Sequence, residues 1–369
     1  MSNPFLRFSI IGLAQSGKTT LFNALTGTRL PTGPGAVARE PHPGITKVPD
    51  QRLEALAKVC RSRKIVPAEV EFLDFPGSLK GYTRDKGSGA GYLTDLAQVD
   101  ALVFVVRAFS QDNVAHELGS VDPWRDLETI EFELAFADIM LMDRRLERIR
   151  DSAGKAKPQE REAMEKDRTL LSRLKEGLEK GTPLRAQEIN EQEERLLRVY
   201  QLLTSKPVLA VLNIGEEGID RAPDLELEAR QRLGAGLEAV AVPCQTEMEM
   251  NELEPAEADE FRASLGLQSR PLQRLLQLCH TITNRFHFLT TGPDESRAWP
   301  LVRGATAQQA AGVIHTDLER GFIRAEVINW EDLVRCGSLV EARKRGLIRA
   351  EGKAYRVQDG DVLNVLFHV

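Results

Sequence analysis

The stretch IIGLAQSGKTTLF, residues 10–22, decides the fold. It spells Gly12-x-x-x-x-Gly17-Lys18-Thr19, the spacing of a phosphate-binding loop. Glycines let the backbone curl until successive N–H groups face one anion. The helix that follows offers unpaired N–H groups and the positive end of its dipole. Lys18 then reaches the β and γ phosphates, and the Thr19 hydroxyl is the expected Mg²⁺ ligand. Context separates such a loop from a chance match. Residues 5–11, FLRFSII, read as a buried strand. Residues 18–26, KTTLFNALT, open an amphipathic helix with Leu21, Phe22 and Leu25 on one face. Strand, glycine loop and helix stand in the required order; the alternative is a bare strand-to-helix turn with no ligand.

Further strand patterns follow at AEVEFLDFPG (68–77), DALVFVVRAF (100–109), KPVLAVLN (206–213) and LEAVAVP (237–243). Strands alternating with helices predict an α/β fold with a mainly parallel, doubly wound sheet. Ligands of such sheets bind at the C-terminal strand ends. Gly12, Asp74, Asn213 and Pro243 all stand at or just past such an end.

Composition narrows the class. A chain of 369 residues has room for two or three domains. Its 42% hydrophobic and 28% charged residues are ordinary for a water-soluble protein. The net charge of −6 writes no general attraction to nucleic acid into the chain, so no DNA partner is expected. No apolar run is long enough to span a bilayer, and MSNPFLRF lacks a signal-peptide layout, so no membrane role is expected. Cys60, Cys244, Cys279 and Cys336 are far apart, without metal-ligand spacing; reduced thiols and a cytoplasmic setting are expected.

The strand patterns stop between 127 and 204, where the chain is charged and leucine-rich. Leu134, Leu141, Leu146 and Ile149 suit one helix, Leu170, Leu171, Leu174 and Leu178 a second, and Leu184, Ile189, Leu196 and Leu197 a third. Breaks are expected at 151–158 and 179–183. The simplest arrangement is a helical, coiled-coil-like hairpin inserted into a nucleotide-binding domain made of 1–126 and 205–285. From 286 to 369 strand signals dominate, at WPLVRG, FIRAEVIN and AYRVQDGDVLNVLF, and a small β-rich domain with little helix is expected.

Asp74-Phe75-Pro76-Gly77 ends the second strand about sixty residues after the loop. Asp74 is the expected second metal residue, and the Gly77 N–H a γ-phosphate sensor; a plain Asx turn is the bland alternative. Asn213-Ile214-Gly215-Glu216 stands where GTPases carry N-K-x-D. With Ile214 for Lys and Glu216 for Asp, a well-formed guanine fork is not expected, whereas the Asn213 amide can still meet an adenine edge. The expected nucleotide contacts are Gly12, Ala14, Gln15, Ser16, Gly17, Lys18, Thr19, Thr20, Gly77, Asn213, Ile214, Glu216, Cys244 and Gln245.

At this point the chain resembles the YchF/Obg-like ATPase family over nearly its whole length. The likeness is carried by RKIVPAEVEF (63–72), GSVDPWRDLETIEFEL (119–134), the Asn-x-x-Glu base motif, EMNELEPAEADEF (249–261) and TTGPDESRAWPLVRGATAQQAAGVIHTDLERGFIRAEV (290–327). The resemblance implies a Ras-like P-loop NTPase domain with a helical insertion and a C-terminal β-grasp-like TGS domain. It also implies ATP preferred over GTP, Mg²⁺ as cofactor, and the ribosome or ribosomal RNA as partner. His116 matches a family histidine proposed as a catalytic group, and KGSGAG (86–91) matches the glycine-rich second switch. There are departures. The family loop G-L-P-N-V-G-K-S-T differs here at Ala14, Gln15, Ser16 and Thr19. Ala38 stands where the first switch carries a Thr hydroxyl, with Thr46 at the wrong offset. Ser78 stands where Ras-like enzymes have a catalytic Gln. His116 and Ser78 are therefore the catalytic candidates. Two functions stay open: a slow ATPase switch, and a pseudo-switch that holds nucleotide without turning it over. A true GTPase is discouraged by the base motif.

Overall fold

The computed structural model describes residues 6–33, 40–80, 89–111, 114–154, 157–197, 199–233, 237–267 and 270–368. Twelve strands are formed among the described residues. They are β1 (Leu6–Ile11), β2 (His42–Lys47), β3 (Lys64–Val66), β4 (Glu69–Asp74), β5 (Ala101–Ala108), β6 (Val208–Ile214), β7 (Leu237–Val242), β8 (Arg285–Thr291), β9 (Glu295–Val302), β10 (Phe322–Asn329), β11 (Arg349–Glu351) and β12 (Asp361–Phe367). One six-stranded sheet runs in the order β2-β4-β1-β5-β6-β7 and another in the order β11-β10-β12-β8-β9-β3.

In the first sheet β1, β5, β6 and β7 pair in parallel. Every residue of β6 is buried, and so is all of β5 except its last. Strands covered on both faces become continuous apolar runs, which is why VLAVLNI and ALVFVVRA carry almost no alternation. Parallel pairing brings the C-terminal ends of these strands to one edge. The second sheet is mixed: β8 pairs antiparallel with β9, β10 with β12 and β11, while β12–β8 and β9–β3 are parallel.

The chain separates into two compact units, Arg7–Gly44 with Glu71–Leu275, and Met1–Leu6 with Ile45–Val70 and Leu276–Val369. Residues 45–70 thus group with the C-terminal region, through β3 on β9 and the helix Gln51–Cys60. A three-residue strand such as β3 has no periodicity to betray it. The helical segment is grouped with the first sheet.

That segment begins at Pro123, where Asp122 caps the long helix Pro123–Ala153 by accepting the N–H groups of Trp124 and Arg125. The partner helix is Pro158–Glu179. Met142, Ile149, Leu170, Leu171, Leu174 and Leu178 form the shared core. Two expectations shift. Leu134 packs into the core of the first sheet, and Leu141 is exposed, because the inward face passes through Met142 instead. The expected third helix shrinks to Glu191–Leu197 after a short 3₁₀ turn, leaving Leu196 exposed.

The C-terminal region also corrects the expectation of little helix. It holds four short helices, Ala307–Ile314, Thr316–Arg320, Trp330–Cys336 and Leu339–Lys344. Local caps start them: Thr306, His315, Asn329 and Ser338 each accept a backbone N–H from the first turn.

Candidate nucleotide site

β1 ends at Ile11 and the chain curls at once. A Cβ on Gly12 would lie 2.3 Å from the Val105 carbonyl oxygen of β5. Gly17 has φ +95°, in the left-handed region, and a Cβ there would lie 2.1 Å from Asn213 Nδ2. Among the described residues no side chain caps the helix Lys18–Thr26. Its first N–H groups are left for an anion.

Lys18 is buried, and its ammonium donates to the Leu13 carbonyl at 2.7 Å. Burial pulls its pKa down to about 8, against the opposing charges of Asp74 and Glu117. The Thr19 hydroxyl donates to Asp74 Oδ2 at 2.8 Å. Asp74 Oδ1 is buried and has no partner among the described residues. Burial raises the Asp74 pKa, opposed by the Thr19 hydrogen bond and Lys18. A buried carboxylate oxygen without a donor is costly. A hydroxyl beside such a carboxylate is the hard oxygen pair that Mg²⁺ takes, so these residues fit the ion.

Over this floor lies a cleft of about 870 Å³. That is within the range of roughly 300–1,000 Å³ usual for small-molecule sites. Ala14, Gln15, Gly17, Lys18, Thr19 and Thr20 line one side, with Asp74, Pro76 and Gly77 beside them. Asn213, Ile214, Gly215, Glu216, Gln245 and Thr246 line the far end. There the buried Thr246 hydroxyl donates to Glu216 Oε1 at 3.1 Å, fixing that carboxylate at the end of the cleft.

Several expected contacts are placed otherwise. Asn213 is 4% exposed; its Nδ2 donates to the Ser16 carbonyl at 3.0 Å and its Oδ1 accepts the Cys244 N–H at 3.3 Å. Its amide braces the phosphate loop as well as facing the cleft. Gly12, Ser16 and Cys244 are not in the lining. Gly12 is buried against the Val105 carbonyl, Ser16 is covered, and the Cys244 thiol is fully buried, which pushes its pKa up. Both catalytic candidates also stand outside the lining. The Ser78 hydroxyl accepts the Lys80 N–H at 3.2 Å. His116 Nδ1 accepts the Leu118 N–H at 3.1 Å, so Nε2 carries the proton and donates to Asp126 Oδ2 at 2.8 Å. With both nitrogens engaged and the ring 4% exposed, His116 has none left for a water. Ala38 and residues 86–88 of the glycine-rich segment lie outside the described residues.

Three contributors escaped the sequence reading. His42, from β2, lines the cleft. Buried Arg107 donates to the Phe109 carbonyl (3.2 Å), the Gln111 carbonyl (3.2 Å) and the Val114 carbonyl (2.9 Å), shaping the rim that Phe109, Gln111 and Val114 supply. Glu117 accepts the Ala14 N–H at 2.7 Å. None lies in a phosphate-site motif; the one local hint is an arginine closing an otherwise apolar strand.

Residues 7–135 match a family model described as 50S ribosome-binding GTPase, and residues 286–368 match the YchF-GTPase C-terminal model, described as a protein of unknown function. The chain is 39% identical to the ribosome-binding ATPase YchF of Bacillus subtilis, over 99% of this chain and 100% of that protein. It is 38% identical to the ribosome-binding ATPase YchF of Escherichia coli O157:H7, over 98% of each. The solved structure of the Schizosaccharomyces pombe YchF GTPase superposes with a TM-score of 0.83 at 27% identity, covering 99% of both chains. Phosphate loop, base-end loop and C-terminal region are all matched within full-length relatives, and the chain belongs to the YchF family of P-loop nucleotide-binding proteins.

Proposed function

We propose that the chain is a cytoplasmic, Mg²⁺-dependent ATP-binding switch that hydrolyses ATP slowly and acts on the ribosome. One observation carries the nucleotide reading: buried Lys18 and the Thr19–Asp74 pair lie beneath a cleft that ends at a fixed carboxylate, Glu216. Lys18 and the loop N–H groups hold the phosphates. Thr19 and Asp74 are the residues to hold Mg²⁺, which when bound neutralises phosphate charge. Glu216 Oε1 takes the Thr246 hydroxyl, leaving Oε2 to accept from an adenine amino group. Ile214 stands where the guanine motif carries its lysine, so no lysine stem packs on the base. The ribosome as partner is supported by the names of the relatives.

A second reading, a switch that holds ATP without cleaving it, is favoured by the full engagement of His116 and the Ser78 turn. On the first reading, single-turnover assays show ATP consumed well below ordinary enzyme rates of ~10 per second. Complete absence of hydrolysis, with ribosomes added, decides for the second. Co-sedimentation with purified ribosomes tests the partner. Binding that differs between ATP and ADP is expected, and no binding in any nucleotide state contradicts the assignment.

A further inference from the structure

One anion already rests on the phosphate loop. The Glu117 carboxylate accepts the Ala14 N–H at 2.7 Å, from 103 residues away in the chain, and its charge acts on buried Lys18. Its segment is anchored. His116, next in line, is wedged between the Leu118 N–H and the buried Asp126 carboxylate. Arg125 pairs with Asp126 and donates to the Ser120 carbonyl. A turn closes from the Gly119 N–H to the His116 carbonyl at 3.0 Å. These contacts set residues 116–120 on the first turn of the helix Pro123–Ala153, with Glu117 reaching out to the loop.

Carboxylate and phosphate oxygens make the same kind of charge-assisted acceptor for a backbone N–H. Lys18 is the group that reaches the β and γ phosphates. A carboxylate that takes the Ala14 N–H of the loop, and whose charge acts on that lysine, competes with a terminal phosphate for the same donors and repels it.

We infer that Glu117 is an internal competitor for the phosphate loop, displaced when a nucleoside triphosphate binds and tolerated beside a diphosphate. Glu117 is thus a specificity-determining residue that weights the cleft toward the diphosphate. Its displacement by the γ-phosphate loosens the 116–120 segment at the start of the long helix. The inference rests on the nucleotide-binding reading above.

The test is competition binding on full-length, nucleotide-free protein in Mg²⁺. Fluorescently labelled ADP is displaced by ADP or by a non-hydrolysable ATP analogue, for wild type, Glu117→Gln, Glu117→Ala and Lys18→Ala. Glu117 is exposed, so neither variant threatens the core. Both Glu117 variants are expected to bind the ATP analogue roughly tenfold more tightly, with ADP affinity changed by less than about twofold. Equal changes for both nucleotides, or none, would overturn the inference even if melting temperature moved, because a merely structural tie does not distinguish the two ligands. Nucleotide binding that survives unchanged in Lys18→Ala, or is absent from wild type, refutes the phosphate-loop reading and the inference with it.

Discussion

A Cβ at position 17 would lie 2.1 Å from Asn213 Nδ2, and that same amide donates to the Ser16 carbonyl. One missing side chain therefore lets the base-end loop grip the phosphate loop. Gly27 offers the comparison: its φ is +69°, but a methyl group there would meet nothing within 4 Å. Gly27→Ala is expected to lose about 1–2 kcal/mol of stability from backbone strain alone. Gly17→Ala adds a clash that only moving Asn213 relieves, and should weaken nucleotide binding by more than about tenfold. Chemical denaturation and nucleotide titration of both variants check this; equal behaviour would contradict the brace. Gly17, Lys18, Thr19 and Asp74 are legible in the sequence, because a phosphate loop is a local device and Asp74 closes a readable strand. The sequence offers Asn213 only as a candidate base contact. The brace it makes to the Ser16 carbonyl depends on a neighbour 197 residues away, and nothing in NIGEEG announces it.

At the scale of elements, the helical hairpin is tied to the sheet by a buried carboxylate. Asp138, on the long helix, accepts the Leu203 N–H at 2.9 Å, the Thr204 N–H at 2.8 Å and the Thr204 hydroxyl at 2.6 Å. Burial raises its pKa to about 6, opposed by those same hydrogen bonds. The chain returns from the hairpin to β6 at this point. Asp138→Ala would strand the two buried N–H groups, a loss of about 2–4 kcal/mol expected in denaturant unfolding. An unchanged midpoint would mean the return is held otherwise. Helix existence and pairing are legible here, since Leu170, Leu171, Leu174 and Leu178 repeat at helical spacing. The inward face of the longer helix is not. Leu134 and Leu141 obey the same spacing, but the helix leaves the sheet between them, so one is buried against strands and the other faces solvent. The short C-terminal helices escape notice because five to eight residues hold barely two turns of pattern, and their caps resemble turn residues.

At the scale of the molecule, the smaller compact unit contains a buried pair, His280 and His287, with ring centroids 4.2 Å apart. Both nitrogens of His280 and Nε2 of His287 lack partners among the described residues. Burial lowers their pKa values to about 3 and about 4 from an ordinary 6.5. His280 also faces the charge of Arg285 and of the second ring, and His287 faces Asp50, Arg52 and Asp359. Above pH 6.5 both rings are neutral in folded and unfolded chains. Below it the unfolded chain takes up protons that the folded unit refuses until about pH 4, so stability falls across that window. Denaturation midpoints at pH 7.5 and pH 5 are expected to differ less in His280→Phe than in wild type; an equal difference would contradict the assignment. The account's central claim is that the cleft over Lys18 holds ATP. Isothermal titration of full-length protein, freed of metal and nucleotide and supplied with Mg²⁺, tests it most directly when ATP and GTP are compared on wild type and Lys18→Ala. The expected result is ATP bound at least about tenfold more tightly than GTP, with loss of about 2 kcal/mol or more in the variant. Tighter binding of GTP, or binding that does not depend on Lys18, would contradict it.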